Sequence, residues 1–194
     1  MAIESLLEEY ARLKGYFTIP RVPFKKKRGH GDIDVLAYNP KEKRLLIIEC
    51  KAWGPPEEYG RITPKKKNMI IDVANRICEN WKDFVRQKAN KWSFRLEDLD
   101  EVWLIWAGYF RKRDEKEDLE KKITQTFKQK IGKNIKFQIY LIHELIEDMI
   151  REIRVDKDVR RKRYLDSAFE LIRWLHKVVD KQLINLQEIF QSNE

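Results

Sequence analysis

Asp32 and Asp34 stand in the stretch Gly31-Asp32-Ile33-Asp34, and further on Glu49-Cys50-Lys51 closes the apolar run Leu45-Leu46-Ile47-Ile48. Side chains alternate along a strand, so Glu49 and Lys51 project from one face while Cys50 points to the other. By the same alternation Asp34 shares a face with Asp32, and Ile33, Val35 and Ala37 share the opposite one. A hairpin around Pro40 sets the two strands side by side and brings two carboxylates and an ammonium together at adjacent strand ends. Burying such a trio is costly unless the charges pair or hold a cation. A hard divalent cation gives the carboxylates a reason to be there. Mg²⁺ prefers oxygen ligands, keeps several waters and takes one or two carboxylates together with substrate phosphate oxygens. Asp34 and Glu49 are the candidate ligands, with the backbone carbonyl of Cys50 as a further oxygen. A water on such a metal is a nucleophile for a phosphodiester, and Lys51 can orient it or stabilise charge developing on the phosphate.

Positioning these groups requires particular elements. Residues 3–13 carry Ile3, Leu6, Leu7, Tyr10 and Leu13 three and four apart, which predicts an amphipathic helix ended by Gly15. Residues 16–24 are β-branched and aromatic but hold Pro20 and Pro23, which predicts an edge or irregular strand. After a basic, glycine-bearing turn, residues 32–38 alternate as a strand. Residues 39–43 (NPKEK) form a hairpin turn, and 44–52 (RLLIIECKA) have the near-continuous apolar character of a central strand. A loop over 54–64 leads to a helix over 66–92 with a continuous apolar stripe. A buried strand over 101–109 (EVWLIWAGY), a polar helix over 117–131, a strand over 135–142 and a helix over 143–153 follow. Residues 157–190 predict one long helix or a kinked pair. All six prolines lie at or before Pro64, so short elements come early and long helices late. The expected architecture is α/β: a mixed sheet flanked by helices over 1–155, with a helical C-terminal extension over 156–194.

With the elements in this order, Gly31-x-x-Asp34 followed by Glu49-x-Lys51 resembles the PD-(D/E)xK nuclease superfamily, which includes restriction endonucleases and archaeal Holliday-junction resolvases. "DVLA", followed after a turn by "LLIIECK", is similar in particular to the resolvase-like and Mrr-like branches, over roughly residues 1–110 as a single core domain. Ile33 stands where the family motif carries a proline. The resemblance implies a restriction-endonuclease-like core of helix, three strands, helix and strand. It implies a metal-dependent nuclease in which Asp34 and Glu49 bind Mg²⁺, Mn²⁺ being able to substitute, and Lys51 is the catalytic lysine. It also implies a supporting glutamate from the first helix, for which Glu4, Glu8 and Glu9 compete. The helical wheel puts Glu9 nearest the Leu6/Leu13 stripe, whereas distance to the closing glycine favours Glu4 by similarity to the resolvases; Glu9 is the choice on geometry. The expected activity is hydrolysis of phosphodiester bonds in DNA, structure-directed or non-specific, since no recognition domain is evident. A nuclease fold that binds nucleic acid or a partner protein without cutting is the alternative, and the same residue chemistry would serve RNA.

Composition fits such a partner. Hydrophobic residues at 42% and aromatics at 11% exclude global disorder. An excess of 41 Lys+Arg over 32 Asp+Glu, net +9, points to nucleic acid or an anionic surface. The runs Lys25-Lys26-Lys27-Arg28 and Lys65-Lys66-Lys67 flank the motif in sequence and suit phosphate-backbone contact. Arg111-Lys112-Arg113 and Arg160-Arg161-Lys162-Arg163 are further basic runs without that placement. No apolar run reaches the ~18–20 residues of a membrane span. Glu4, Glu8 and Glu9 interrupt the apolar pattern at the start, so the expected location is intracellular, in the cytoplasm or on the nucleoid. Cys50 and Cys78 have neither a disulfide framework nor zinc-ligand spacing and are expected as small buried hydrophobes. Trp53 is expected to pack at the end of its strand. The apolar stripe of Leu165, Phe169, Ile172, Leu175, Val179 and Leu183 is broader than one helix on one domain needs, which predicts either that it packs back on the core through a neighbouring helix or that it meets its copy in a homodimer.

Overall fold

The computed structural model describes residues 2–26, 29–51, 60–92 and 95–155. The C-terminal extension, with its basic run and predicted dimer face, lies outside them, as do Lys27, Arg28 and Trp53. In chain order the elements are α1 (Ala2–Leu13), β1 (Phe17–Lys25), β2 (His30–Asn39), β3 (Arg44–Lys51), α2 (Pro64–Trp92), β4 (Leu99–Trp106), α3 (Arg113–Ile131), β5 (Lys136–Leu141) and α4 (Ile142–Val155), with a 3₁₀ turn, Leu96–Asp98, before β4. The strands form one mixed sheet in the order β1-β2-β3-β4-β5. The first two pairings are antiparallel and the last two parallel. The fold is therefore α/β, and β3 is the central strand, as its unbroken apolar run requires. No helix among the described residues is long and apolar enough to cross a membrane.

Helices cover both faces. One core joins α2 and α3 to the sheet through Ile70, Ile77, Trp81, Phe84, Ile123 and Phe127. The other joins α1 and α4 to the opposite face through Leu7, Tyr10, Leu145 and Met149. Along β3 the alternation is regular: Leu45 and Ile47 enter the first core, Leu46, Ile48 and Cys50 the second.

Along β2 it is not. Val35 and Ala37 pack in the α1/α4 core, but Ile33 packs with Leu36 in the α2/α3 core. The expected sharing of one face by Ile33, Val35 and Ala37 is thus corrected: the strand turns over next to Asp34. Across from it on β1, Arg21 has φ 48, a left-handed conformation between Pro20 and Pro23. Two prolines that cannot donate to a ladder and one left-handed residue bend the edge strand, and its partner bends with it. Past this point the β1–β2 arm curls onto α2. The N–H of Lys25 donates to Gln87 Oε1 at 2.8 Å, and Gln87 Nε2 donates back to the Lys25 carbonyl. Gly31 belongs to this arm; a Cβ there would meet the side chains of Lys26 and Phe24 closer than 3 Å.

Two local devices set the register that aligns the motif. In the β2–β3 turn, buried Asn39 accepts from the N–H groups of Lys41 and Glu42 at 3.0 and 3.1 Å, an Asx turn. Between β3 and β4 the register shifts by one residue at Leu45/Leu46. The extra residue, Asp100, takes the Leu45 N–H on its carboxylate at 2.8 Å. Above that bulge Glu49 lies opposite Leu104 and Lys51 opposite Trp106.

On the α1/α4 side, Tyr10 donates its hydroxyl to Asp148, and Lys14 Nζ lies 3.2 Å from the same carboxylate oxygen. Burial works against the charge of Asp148, but the Tyr10 and Lys14 hydrogen bonds outweigh it and hold the carboxyl below its ordinary value. A depressed carboxylate contributes stability that is present above its unfolded pKa of ~3.9 and is lost as pH falls through the folded one. Asp148→Asn is therefore expected to melt less steeply with acid than the wild type below about pH 4. Urea denaturation at a series of pH values measures this; parallel acid limbs would contradict it.

Candidate active site at a strand fork

The β2–β3 ladder ends at Val35↔Ile48, whereas β3 stays paired to β4 as far as Lys51↔Trp106. The two antiparallel strands fork where β2 turns over, and Asp34, Glu49 and Lys51 stand at the fork. Asp34 fills the opening: its Oδ2 accepts from the backbone N–H of Cys50 at 2.7 Å. Lys51 Nζ lies 2.6 Å from Glu49 Oε1 and 3.9 Å from Asp34 Oδ2. The predicted convergence of two carboxylates and an ammonium is what the fold produces, on the sheet face that carries α2.

The electrostatics are those of a carboxylate pair with incomplete compensation. Glu49 is only 8% exposed. Its burial, and next the neighbouring Asp34, push its pKa above the ordinary value against the pull of Lys51, with Asp32 adding to the rise. Burial also works to deprotonate Lys51, but Glu49 and Asp34 outweigh it, so the ammonium stays charged. The Lys51 side chain is 38% exposed, leaving the trio open to solvent on its ammonium side.

Cys50 does not join this group by its side chain. The thiol is buried in the opposite core, so its part in any metal site is confined to its backbone carbonyl. Glu9 is not brought to the trio either. Its Oε1 accepts from Arg12 Nη1 at 2.5 Å, and α1 lies on the other face of the sheet, since the apolar stripe that docks it (Leu7, Tyr10, Ala11) enters the α1/α4 core. Glu8 also bonds Arg12, at 3.1 Å. A helical wheel of apolar positions takes no account of Arg12, and it is Arg12 that holds both carboxylates.

Among the described residues no group of three or more His, Cys, Asp or Glu could hold a metal ion. The chain's own contribution would be the two carboxylates Asp34 and Glu49, with the backbone carbonyl of Cys50 as a further oxygen. An all-oxygen pair, one member of it buried and short of positive charge, fits a hard cation that keeps most of its waters.

The basic runs separate. Lys25 and Lys26 are exposed at the tip of the curled arm. Lys65, Lys66 and Lys67 occupy the first turn of α2, where Lys67 pairs with Glu115 of α3 at 2.6 Å. What sequence reasoning missed is the neighbourhood of this second group. Arg61 forms a parallel bridge with Tyr109, and the Ile62 N–H donates to the Tyr109 carbonyl at 2.8 Å. This bridge brings residues 111–113, remote in sequence, beside residues 61–67. The expected strand over 101–109 in fact ends at Trp106, and α3 starts at Arg113, ahead of the expected 117.

No family model and no curated protein matches the chain. A solved structure described as a protein of unknown function, AF1548, is similar at 13% identity with a TM-score of 0.40, covering 92% of this chain and 96% of that one.

Proposed function

We propose that the chain is a metal-dependent endonuclease of the PD-(D/E)xK type, with a restriction-endonuclease-like core, that hydrolyses phosphodiester bonds in DNA. The observation that carries this reading is the fork: Asp34 and Glu49 converge on one face beside Lys51, at the exposed end of an otherwise apolar central strand. Asp34 and Glu49 would hold Mg²⁺ or Mn²⁺, with the Cys50 carbonyl as a third oxygen. When bound, such an ion supplies Lewis-acid polarisation of a phosphate oxygen and an acidified water. The chain's residues do the rest. Asp34, fixed by the Cys50 N–H, holds its carboxylate in place at the fork. Lys51, kept protonated by Glu49 and Asp34, orients the attacking water and meets charge that develops on the phosphate. The basic runs at residues 25–28 and 65–67 contact the flanking backbone without reading sequence.

A second reading, a nuclease-fold protein that binds nucleic acid or a protein without cutting, is favoured by the 2.6 Å Lys51–Glu49 contact, which balances part of the charge with no cation. One experiment separates them. Millimolar Mg²⁺ or Mn²⁺ is expected to raise the melting temperature of the wild type, and Glu49→Gln to abolish the rise. Melting curves unmoved by either cation would favour the non-catalytic reading.

A further inference from the structure

The helix α2 works as a ruler between two basic groups. At its C-terminal half Gln87 grips the backbone of Lys25, at the tip of the β1–β2 arm. At its N-terminus Lys67 is tied to α3, next to Arg61 and residues 111–113. Lys67 and Gln87 are twenty residues apart on one helix, which is ~30 Å at 1.5 Å per residue. The strands of the trio lead toward both groups. Lys25 pairs with His30, four residues and so ~13 Å along β2 from Asp34. Lys51 pairs with Trp106, and Tyr109, the partner of Arg61, follows at most ~11 Å further along the chain. Both basic groups are thus reached within a few residues along the strands that carry the trio.

Local chemistry marks the α2 end as built for an anion. A helix N-terminus carries partial positive charge and favours acidic residues. The first turn of α2 has no acidic residue and holds three lysines, whereas α3 starts in the favoured way, with Asp114 and Glu115. Lys67 is answered by Glu115 of α3, and a run of three lysines set against the helix's own dipole is the kind of local conflict found at functional sites. The far end of the sheet has no such bias: basic Lys43, Arg95 and Lys133 there face acidic Glu97, Asp98 and Asp100 around one cavity.

We infer that the two ends of α2 are phosphate-binding wings for duplex DNA, engaged over about one helical turn, and that Arg61, Arg111, Lys112 and Arg113 belong to the second wing. A turn of B-DNA is about 34 Å long, close to the span of the ruler. Binders of single strands need aromatic platforms for stacking. Of the described exposed aromatics Phe17, Tyr38 and Tyr109, only Tyr109 is at this end, since Phe17 and Tyr38 pair beside the β2–β3 turn. The inference rests on the nuclease reading for the reacting phosphate lying at the trio, but not for the wings.

The test is equilibrium binding of labelled duplexes to the full chain in EDTA, at about 6, about 12 and about 24 base pairs, the last two spanning one turn or more. Affinity is expected to rise at least about tenfold from the shortest to the middle duplex and to level off beyond it, because both wings then engage. R111E/K112E/R113E and K25E/K26E should each weaken the middle duplex about tenfold and lower the salt slope by about 0.9 for each phosphate no longer neutralised. K41E/K43E, in the turn at the other end of the sheet, should leave both unchanged. Wild-type binding by R111E/K112E/R113E, an equal loss in K41E/K43E, or single strands bound as tightly as duplex would overturn the inference. Wing-dependent binding by a wild type that cuts no DNA would overturn the nuclease reading and leave the wings standing. Cutting that depends on Asp34 while binding ignores both wings would do the reverse.

Discussion

Lys51→Ala is expected to lower the rate of strand scission roughly 10²–10³-fold, the usual cost of removing one preorganised group that meets transition-state charge. It should do so without removing cation binding. Lys51 is the half-exposed member of the trio, and its 2.6 Å contact to Glu49 is the charge compensation that exists without a metal. Taking the ammonium away leaves Asp34 and Glu49 facing each other with less relief, so the cation-induced rise in melting temperature should be larger than in the wild type. Asp34→Ala and Glu49→Ala should instead lose scission and the cation response together. Single-turnover cleavage and thermal melting on the same preparations measure the split. A Lys51→Ala protein that cuts at the wild-type rate would mean the ammonium is only a structural counter-ion.

Trp81→Ala is expected to cost about 3–5 kcal/mol, the range for truncating a fully buried large aromatic. Trp81 is 0% exposed and stacks on Phe84 with ring centroids 5.5 Å apart. Its Nε1 donates to the Leu96 carbonyl at 3.0 Å, tying α2 to the turn that feeds β4. The substitution opens a cavity in the α2/α3 core and also leaves that carbonyl without its donor, so two costs add. Against a domain stability of about 5–15 kcal/mol, such a loss is a large fraction of the total. Because α2 spaces the two basic groups, DNA binding should fall with it near the lowered melting temperature. Urea denaturation gives the value, and a change below about 1 kcal/mol would show that the site relaxes around the missing ring.

Sequence reasoning reached far along the strands and less far around them. The period of two in residues 44–52 was enough to put Glu49 and Lys51 on one face, because β3 keeps its alternation and is buried on both sides. The same rule failed one strand away, at Ile33. Alternation assumes a flat strand, and β2 turns over there, across from left-handed Arg21 between Pro20 and Pro23 on the neighbouring β1. The fork that turns Asp34 toward the Cys50 N–H is thus a product of pairing. Glu9 shows a second limit: a helical wheel places a carboxylate on an angle but does not say which face of the sheet the helix covers, nor that Arg12 one turn on will hold it. The basic group of residues 61 and 111–113 shows a third. Its members are some fifty residues apart in sequence and meet around the bridge Arg61↔Tyr109, which no local pattern encodes.

Strand scission on plasmid, duplex, nicked, flap and four-way DNA, with Mg²⁺ and with Mn²⁺, tests the assignment of the trio most directly when the wild type is compared with an Asp34→Ala/Glu49→Ala double variant. The expected result is cation-dependent cutting of at least one substrate by the wild type, abolished by EDTA and absent from the double variant at equal protein and DNA-binding activity. Cutting that survives in the double variant, or a wild type that cuts none of these substrates with either cation, would contradict it.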